Sequence, residues 1–444
     1  MAVKAKKKTA AKAAKPASSK MPLRGDSKWF THDRLGMFIH WGTYAAAARH
    51  EWVKSHERIP DDEYQKYFDV FDPDLYNPTE WARAAKNAGM KYFCITTKHH
   101  EGFCLWDTKH TDYKAPNTPC GKDLLRPMVD AFRAEGLKVG FYYSLLDWHH
   151  PDYPVDQFHP MRDDEEWKKK NAKRDVRKYA KYMHKQVEEL LTEFGKIDYI
   201  FFDFSAPGCK GRNEWNSVEL MKLCRTLQPQ ILIDDRLDLQ DVPGGWDVIT
   251  PEQVMSEQWP EVDGKRALWE TCQTFSGSWG YHRDEYTWKT VPQLLYLLID
   301  SVSKGGNVLL NVGPTARGTF DRRALESLAG MGEWMRVNGR SIYGCTQADG
   351  FTTPRDSRLT WNPETNRLYV HMLNWPIHAM RLPDLGGKVK YAQFLHDASE
   401  IRMREEPREI NAGINDKKPA GAITLQLPVR KPDVAIPVVE LFLK

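Results

Sequence analysis

Seven cysteines in 444 residues, at positions 94, 104, 120, 209, 224, 272 and 345, are odd in number and form no CxxC pair. That usage fits neither a disulfide framework nor a zinc ribbon and leaves free thiols in a reducing compartment. HxH and HExxH are missing too. The vicinal pairs His99-His100 and His149-His150 would point to opposite sides of an extended chain, so no metal site is expected. Neither GxxxxGKS/T nor GxGxxG occurs, which removes the usual phosphate and dinucleotide cradles, and no cofactor is expected. The most apolar stretch, Leu294 to Val312, is interrupted by Asp300, Lys304, Gly305 and Gly306, too soon for a membrane span.

Acidic residues are absent from Met1 to Lys20, where seven lysines stand among alanines. That segment lacks the roughly 7–15-residue apolar core of an export signal and reads as a basic low-complexity tail, with a cytoplasmic location as the expectation. The formal charge of +4 comes from this tail, since the remainder holds 57 Lys and Arg against 60 Asp and Glu. A near-neutral body carries no electrostatic footprint for nucleic acid.

What the chain does have is core-forming material: 41% hydrophobic residues, 12% aromatics and 16 Trp. Short apolar runs alternate with segments of helical period, the signature of βα units around a parallel sheet. The runs are Gly36–Ile39, Tyr92–Thr97, Lys138–Tyr143, Ile197–Phe202, Ile231–Ile233 and Val308–Leu310. Asn77-Pro78 opens one predicted helix and Gly89 closes it. Leu124–Glu135, a long solvated Asp163–Glu193, Glu214–Leu227, Val291–Ser303 and Arg322–Val337 follow. From about Ser341 the pattern changes to short alternating segments, Arg358–Trp361, Arg367–Leu373, Ala422–Leu427 and Val438–Leu443, separated by turn residues. The expectation is therefore a tail over 1–20, a (β/α)8-like barrel over 21–340 and a C-terminal antiparallel β-sandwich over 341–444.

The ends of the runs carry the chemistry. They lead into His40-Trp41-Gly42, into Lys98-His99-His100-Glu101-Gly102, into Asp147-Trp148, into Asp203 and into Asp234-Asp235-Arg236, while Ala267–Leu268 leads into Trp269-Glu270. In a (β/α)8 barrel such carboxyl ends converge on one face, where active sites sit. Aromatic faces among His, Asp and Glu suit a sugar, whose ring offers apolar C–H patches and a rim of hydroxyls.

These residues, together with Glu51-Trp52, Phe141-Tyr142-Tyr143-Ser144, Trp279-Gly280-Tyr281, Ser303-Lys304-Gly305-Gly306-Asn307 and Asn311-Val312-Gly313-Pro314, resemble the α-L-fucosidases of glycoside hydrolase family 29 over roughly residues 28–345. The resemblance implies hydrolysis of terminal α-L-fucosyl linkages with retention, on a fucosylated oligosaccharide or glycoconjugate. It implies Asp203 as nucleophile and Glu285, in a GYxRxE-like loop, as acid/base, with Glu270 as the alternative; Glu252 and Glu257 are the next carboxylates to test. It assigns His40, His99, His100 and Tyr142 to fucose hydroxyls and has Glu51 and Trp52 close the pocket. Two departures flank Asp203. Phe201 stands where many members have Trp, and Phe204-Ser205 follows the Asp where a small residue is common. A hydrolase for a related sugar such as an α-L-galactoside, or a non-catalytic sugar binder on the same fold, are the competing functions.

Overall fold

The computed structural model describes residues 24–205, 210–406 and 421–444; the basic tail lies outside them. Eight parallel strands form the first sheet: β1 Leu35–Ile39, β2 Tyr92–Lys98, β3 Lys138–Ser144, β4 Tyr199–Asp203, β5 Leu232–Ile233, β6 Val248–Ile249, β7 Leu268–Thr274 and β8 Asn307–Val312. Their order is β5-β4-β3-β2-β1-β8-β7-β6, and a single parallel bridge between Asp234 and Val248 joins the two ends into a barrel. Outside it lie α1 Pro78–Asn87, α2 Leu125–Ala134, α3 Val176–Glu193, α4 Ser217–Leu227, α5 Val291–Ser303 and α6 Arg322–Asn338.

The strands read as near-continuous apolar runs because both faces are covered, one by helices and one by the barrel interior. On β1, Leu35, Met37 and Ile39 join the outer core, whereas Phe38 turns inward to Tyr142, Phe201, Cys272 and Leu309. The alternation fixes the active face, because residues two positions beyond an inward aromatic share its side. His40 follows Phe38 in this way, and Asp203 follows Phe201.

Caps set the helix ends. The Asn77 side chain accepts from the N–H groups of Thr79 and Glu80, Pro78 starts α1, and the helix buries Trp81, Ala82 and Ala85 before Gly89 turns the chain at φ +90°. The long helix expected over 163–193 is broken. Asp164 caps Glu165–Lys170, and Asp175 caps α3 afresh, so two N-caps in one charged run start two helices. Nor is α3 merely solvated, since Tyr179, Met183, Val187 and Leu190 pack on the barrel.

The C-terminal part contains β9 Thr346–Gln347, β10 Ser357–Asn362, β11 Arg367–Met372, β12 Ala379–Leu382, β13 Val389–Phe394, β14 Met403–Glu406, β15 Ala422–Gln426 and β16 Val438–Leu443. They form antiparallel sheets ordered β9-β10-β11-β16-β13 and β12-β15-β14. Leu368, Val370 and Leu441 from one sheet and Met380, Leu382 and Leu425 from the other share one apolar core, a sandwich. It is anchored to the barrel by Arg358, whose guanidinium meets buried Asp300 of α5 at 2.6 Å.

Candidate active site

At the carboxyl ends of the strands lies a cavity of about 100 Å3, walled by Phe38, Trp52, Phe201, Phe204 and Trp279 and lined with polar groups from His40, His99, His100, Tyr142, Asp203, Arg236 and Glu252. Asp203 closes β4. Its Oδ2 accepts from the Tyr142 hydroxyl at 2.8 Å and its Oδ1 from Arg236 Nη1 at 2.7 Å. Two charge-assisted bonds on separate oxygens fix the carboxylate in place.

Arg236, just past β5, has its Nη2 on the Thr250 carbonyl at 2.9 Å and its Nε on the Thr250 hydroxyl at 3.1 Å, and it stacks on Phe201. Its Nη1 also reaches Glu252 Oε2 at 3.0 Å. Two oxygens held 2.7 and 3.0 Å from one nitrogen lie no more than about 5.7 Å apart.

The histidines are oriented by what stands behind them. Asn311 Nδ2 donates to the Trp279 carbonyl at 2.7 Å, so its oxygen is left to take the Nδ1–H of His40, also at 2.7 Å. Ser144 donates its hydroxyl to the Leu146 carbonyl at 2.9 Å and receives His100 Nδ1–H at 2.6 Å. In both rings Nε2 is then a lone-pair acceptor available to a sugar hydroxyl. Burial, reinforced by His99, pushes the His40 pKa down to about 3, and burial with His99, His40 and Lys98 pushes that of His100 well below the ordinary value. Both imidazoles are therefore neutral at physiological pH. His99 stands between them, with Nδ1 at 3.5 Å from the buried Glu101 carboxylate.

The residue after Asp203 is an outlier. Phe204 holds φ at +74°, a left-handed conformation rare for an aromatic residue. In it the ring packs on His100 at 4.8 Å and Trp52 at 5.4 Å and becomes part of the wall.

Of the residues singled out from sequence, the structure brings Asp203, His40, His99, His100, Tyr142 and Trp52 together. Glu51 stands behind this wall, with Oε2 accepting from Gly280 N–H at 2.8 Å. Burial alone would raise its pKa, but the His50 and His99 imidazoles and the Gly280 N–H hold it down to about 2. Glu270 is not in the cavity. It is the third residue of β7, two before Cys272 on the inward side, at the level where β2 and β4 begin, and it bonds the hydroxyl of Tyr92. Burial there pushes its pKa up to about 8. Glu285 does not reach the cavity either. Its Oε1 is engaged by Tyr286 N–H at 2.9 Å, Thr287 N–H at 2.7 Å and the Thr287 hydroxyl at 2.6 Å. Partial burial works to raise its pKa, and these donors hold it below the ordinary value, the reverse of what an acid catalyst needs. Arg236 and Glu252 complete the lining; the sequence offers Arg236 only within the Asp234-Asp235-Arg236 cluster after β5 and Glu252 only as a reserve glutamate behind Glu285 and Glu270.

The α-L-fucosidase family model matches residues 1–340. Plasma α-L-fucosidase from Rattus norvegicus is 29% identical over 382 residues, covering 79% of this chain and 78% of the relative. The structure of α-L-fucosidase isoenzyme 1 from Paenibacillus thiaminolyticus superposes with a TM-score of 0.87 at 47% identity, covering 94% of this chain and 98% of that one. A family 29 α-L-fucosidase from Bacteroides thetaiotaomicron, solved as a trapped covalent intermediate in complex with 2-fluoro-fucosyl fluoride, matches with a TM-score of 0.80 at 27% identity over 96% of this chain and 98% of that one. With barrel, sandwich and cavity in place, the chain belongs to the α-L-fucosidase family of glycoside hydrolases, family 29.

Proposed function

We propose that the protein hydrolyses terminal α-L-fucosyl linkages with retention, through a fucosyl ester on Asp203. The observation that carries this reading is the Asp203–Glu252 pair bridged by Arg236 Nη1 in a cavity of neutral histidines and aromatic rings. The trapped intermediate of the Bacteroides relative supports the covalent route.

In this mechanism the apolar side of fucose rests on the aromatic wall, and two hydroxyls donate to Nε2 of His40 and His100. Asp203 Oδ1 or Oδ2 attacks the anomeric carbon as the glycosidic bond breaks and Glu252 delivers a proton to the departing oxygen. Water then enters, Glu252 takes its proton, and hydroxide displaces Asp203 to release fucose with its original configuration. Tyr142 stabilises the carboxylate as it leaves.

Following the anomeric signal of first-formed fucose by proton NMR tests the reading. Retention gives α-L-fucose before mutarotation. First-formed β-L-fucose would overturn it, and no cleavage of any α-L-fucoside would return the chain to the sugar-binding alternative. Equal or faster cleavage of the matching aryl α-L-galactoside would shift the substrate.

A further inference from the structure

The fucose cavity opens, between Trp52 and Trp279, into a wider vestibule of about 510 Å3 that the departing group must occupy. One cation in its wall is unusual. Arg162 is anchored through Nη1 alone, to the Ser55 carbonyl at 3.2 Å, the Ser55 hydroxyl at 2.9 Å and the His159 carbonyl at 2.8 Å, all neutral acceptors. Among the described residues its Nε and Nη2 donate to no protein group, and no carboxylate lies within 4.0 Å of it. The neighbouring arginine shows the contrast, since Arg58 is paired with Asp163 at 2.6 Å.

The anchorage ties this guanidinium to the fucose site. Ser55 sits in the short helix Val53–His56, with its N–H on the Trp52 carbonyl at 2.9 Å, so Arg162 is braced against the turn that carries Trp52. The vestibule's own acid, Glu51, is buried and committed to Gly280 N–H, and Glu285, behind Gly277, is held by its own loop. His50 and His56 share a hydrogen bond at 3.0 Å in the same wall, and neither is an anion. A half-buried planar fork with free donors and no counter-ion is a receptor for a carboxylate or a sulfate, which it can take in two parallel bonds.

We infer that Arg162 selects fucosides whose leaving sugar carries an anionic substituent, a sulfate ester or a uronic-type carboxylate. The inference rests on the hydrolase reading above and names its substrate class.

The test compares kcat/KM for fucosyl disaccharides that differ only in the sugar bearing fucose: unmodified, sulfated at its available positions, or carboxylated. An aryl fucoside, which lacks that sugar, reports on the hydrolase reading by itself. The wild type should favour at least one acidic disaccharide over the neutral one by about 10-fold or more at low salt, with the preference shrinking as salt rises. In Arg162→Met the acidic-to-neutral ratio should fall close to one. In Arg162→Lys, which keeps the anchoring charge but not the fork, it should be intermediate. Wild type with no acidic preference on any disaccharide, or an unchanged ratio in Arg162→Met, overturns the inference while leaving the hydrolase intact. Loss of aryl fucoside cleavage by the wild type would instead sink the underlying reading. The relative strength of the sulfated and carboxylated arms identifies which anion the site takes.

Discussion

Asp203 and Glu252 accept hydrogen bonds from the same atom, Arg236 Nη1, at 2.7 and 3.0 Å. One guanidinium thus sets both the separation of the two carboxylates and their shared charge environment. Removing it should damage both steps together. In Arg236→Met, turnover on aryl and sugar fucosides should fall by similar factors, on the order of 100-fold or more, because buried Asp203 and exposed Glu252 lose the one group that positions both. A variant retaining near wild-type turnover on both would show that the bridge is incidental.

Truncating Asp203 is the more severe change. Asp203→Gly should lower turnover by several orders of magnitude with the fold retained, and azide or formate should restore part of it by attacking from the vacated space. More than about a tenth of wild-type turnover in the variant would remove Asp203 from this role.

An acid catalyst matters in proportion to how poor the leaving group is. Glu252→Ala should therefore be far worse on a fucosyl oligosaccharide than on an activated aryl fucoside. With the aryl substrate, azide should speed turnover and yield a fucosyl azide of retained configuration, since azide needs no base. Glu285→Ala should show neither trait, because its carboxylate is spent on Tyr286 and Thr287. The opposite pattern would return the role to Glu285, and the same profile in Glu257→Ala would hand it to that residue.

The fate of the three glutamates shows what sequence reading can and cannot see. Asp203, His40 and His100 were legible because each ends or follows an apolar run, and the inward aromatic two residues before Asp203 or His40 fixes its direction. Glu270 looked like a strand end because Ala267–Leu268 resembled a whole short strand; the strand in fact runs from Leu268 to Thr274, which leaves the glutamate inside the barrel. Glu252 stands only in reserve for the converse reason. Its strand is only Val248–Ile249, two residues between Asp247 and Thr250, and no periodicity can be read in two residues. Arg236 can be seen as a polar residue near a strand end, but its bond to Asp203, 33 positions back, depends on β4 pairing with β5, and its bond to Glu252 on closure of β5 onto β6.

Glu270 makes a different prediction. Its carboxyl is pushed up to about 8 by burial, from an ordinary value of 4.5. The protonated form it adds to the fold is fully present below the unfolded value, and its contribution is lost as pH rises through about 8, where the folded state is forced to ionise. Glu270→Gln keeps a neutral side chain against Tyr92 at all pH values. It should unfold at a higher temperature than wild type at pH 9, with a gain on the order of a few kcal/mol that fades as pH falls toward 5. Parallel melting curves for the two proteins across that range would contradict the buried, neutral carboxyl.

The central claim is that Asp203 carries the fucosyl group. A 2-deoxy-2-fluoro-fucosyl fluoride slows both displacements, while its good leaving group keeps the first fast enough for the ester to accumulate. Incubation with this reagent, followed by proteolysis and tandem mass spectrometry, reads the site directly. The account predicts a single fluorofucosyl mass increment on the side chain of Asp203, lost on incubation with an acceptor as activity returns. A stoichiometric label on any other residue would contradict it.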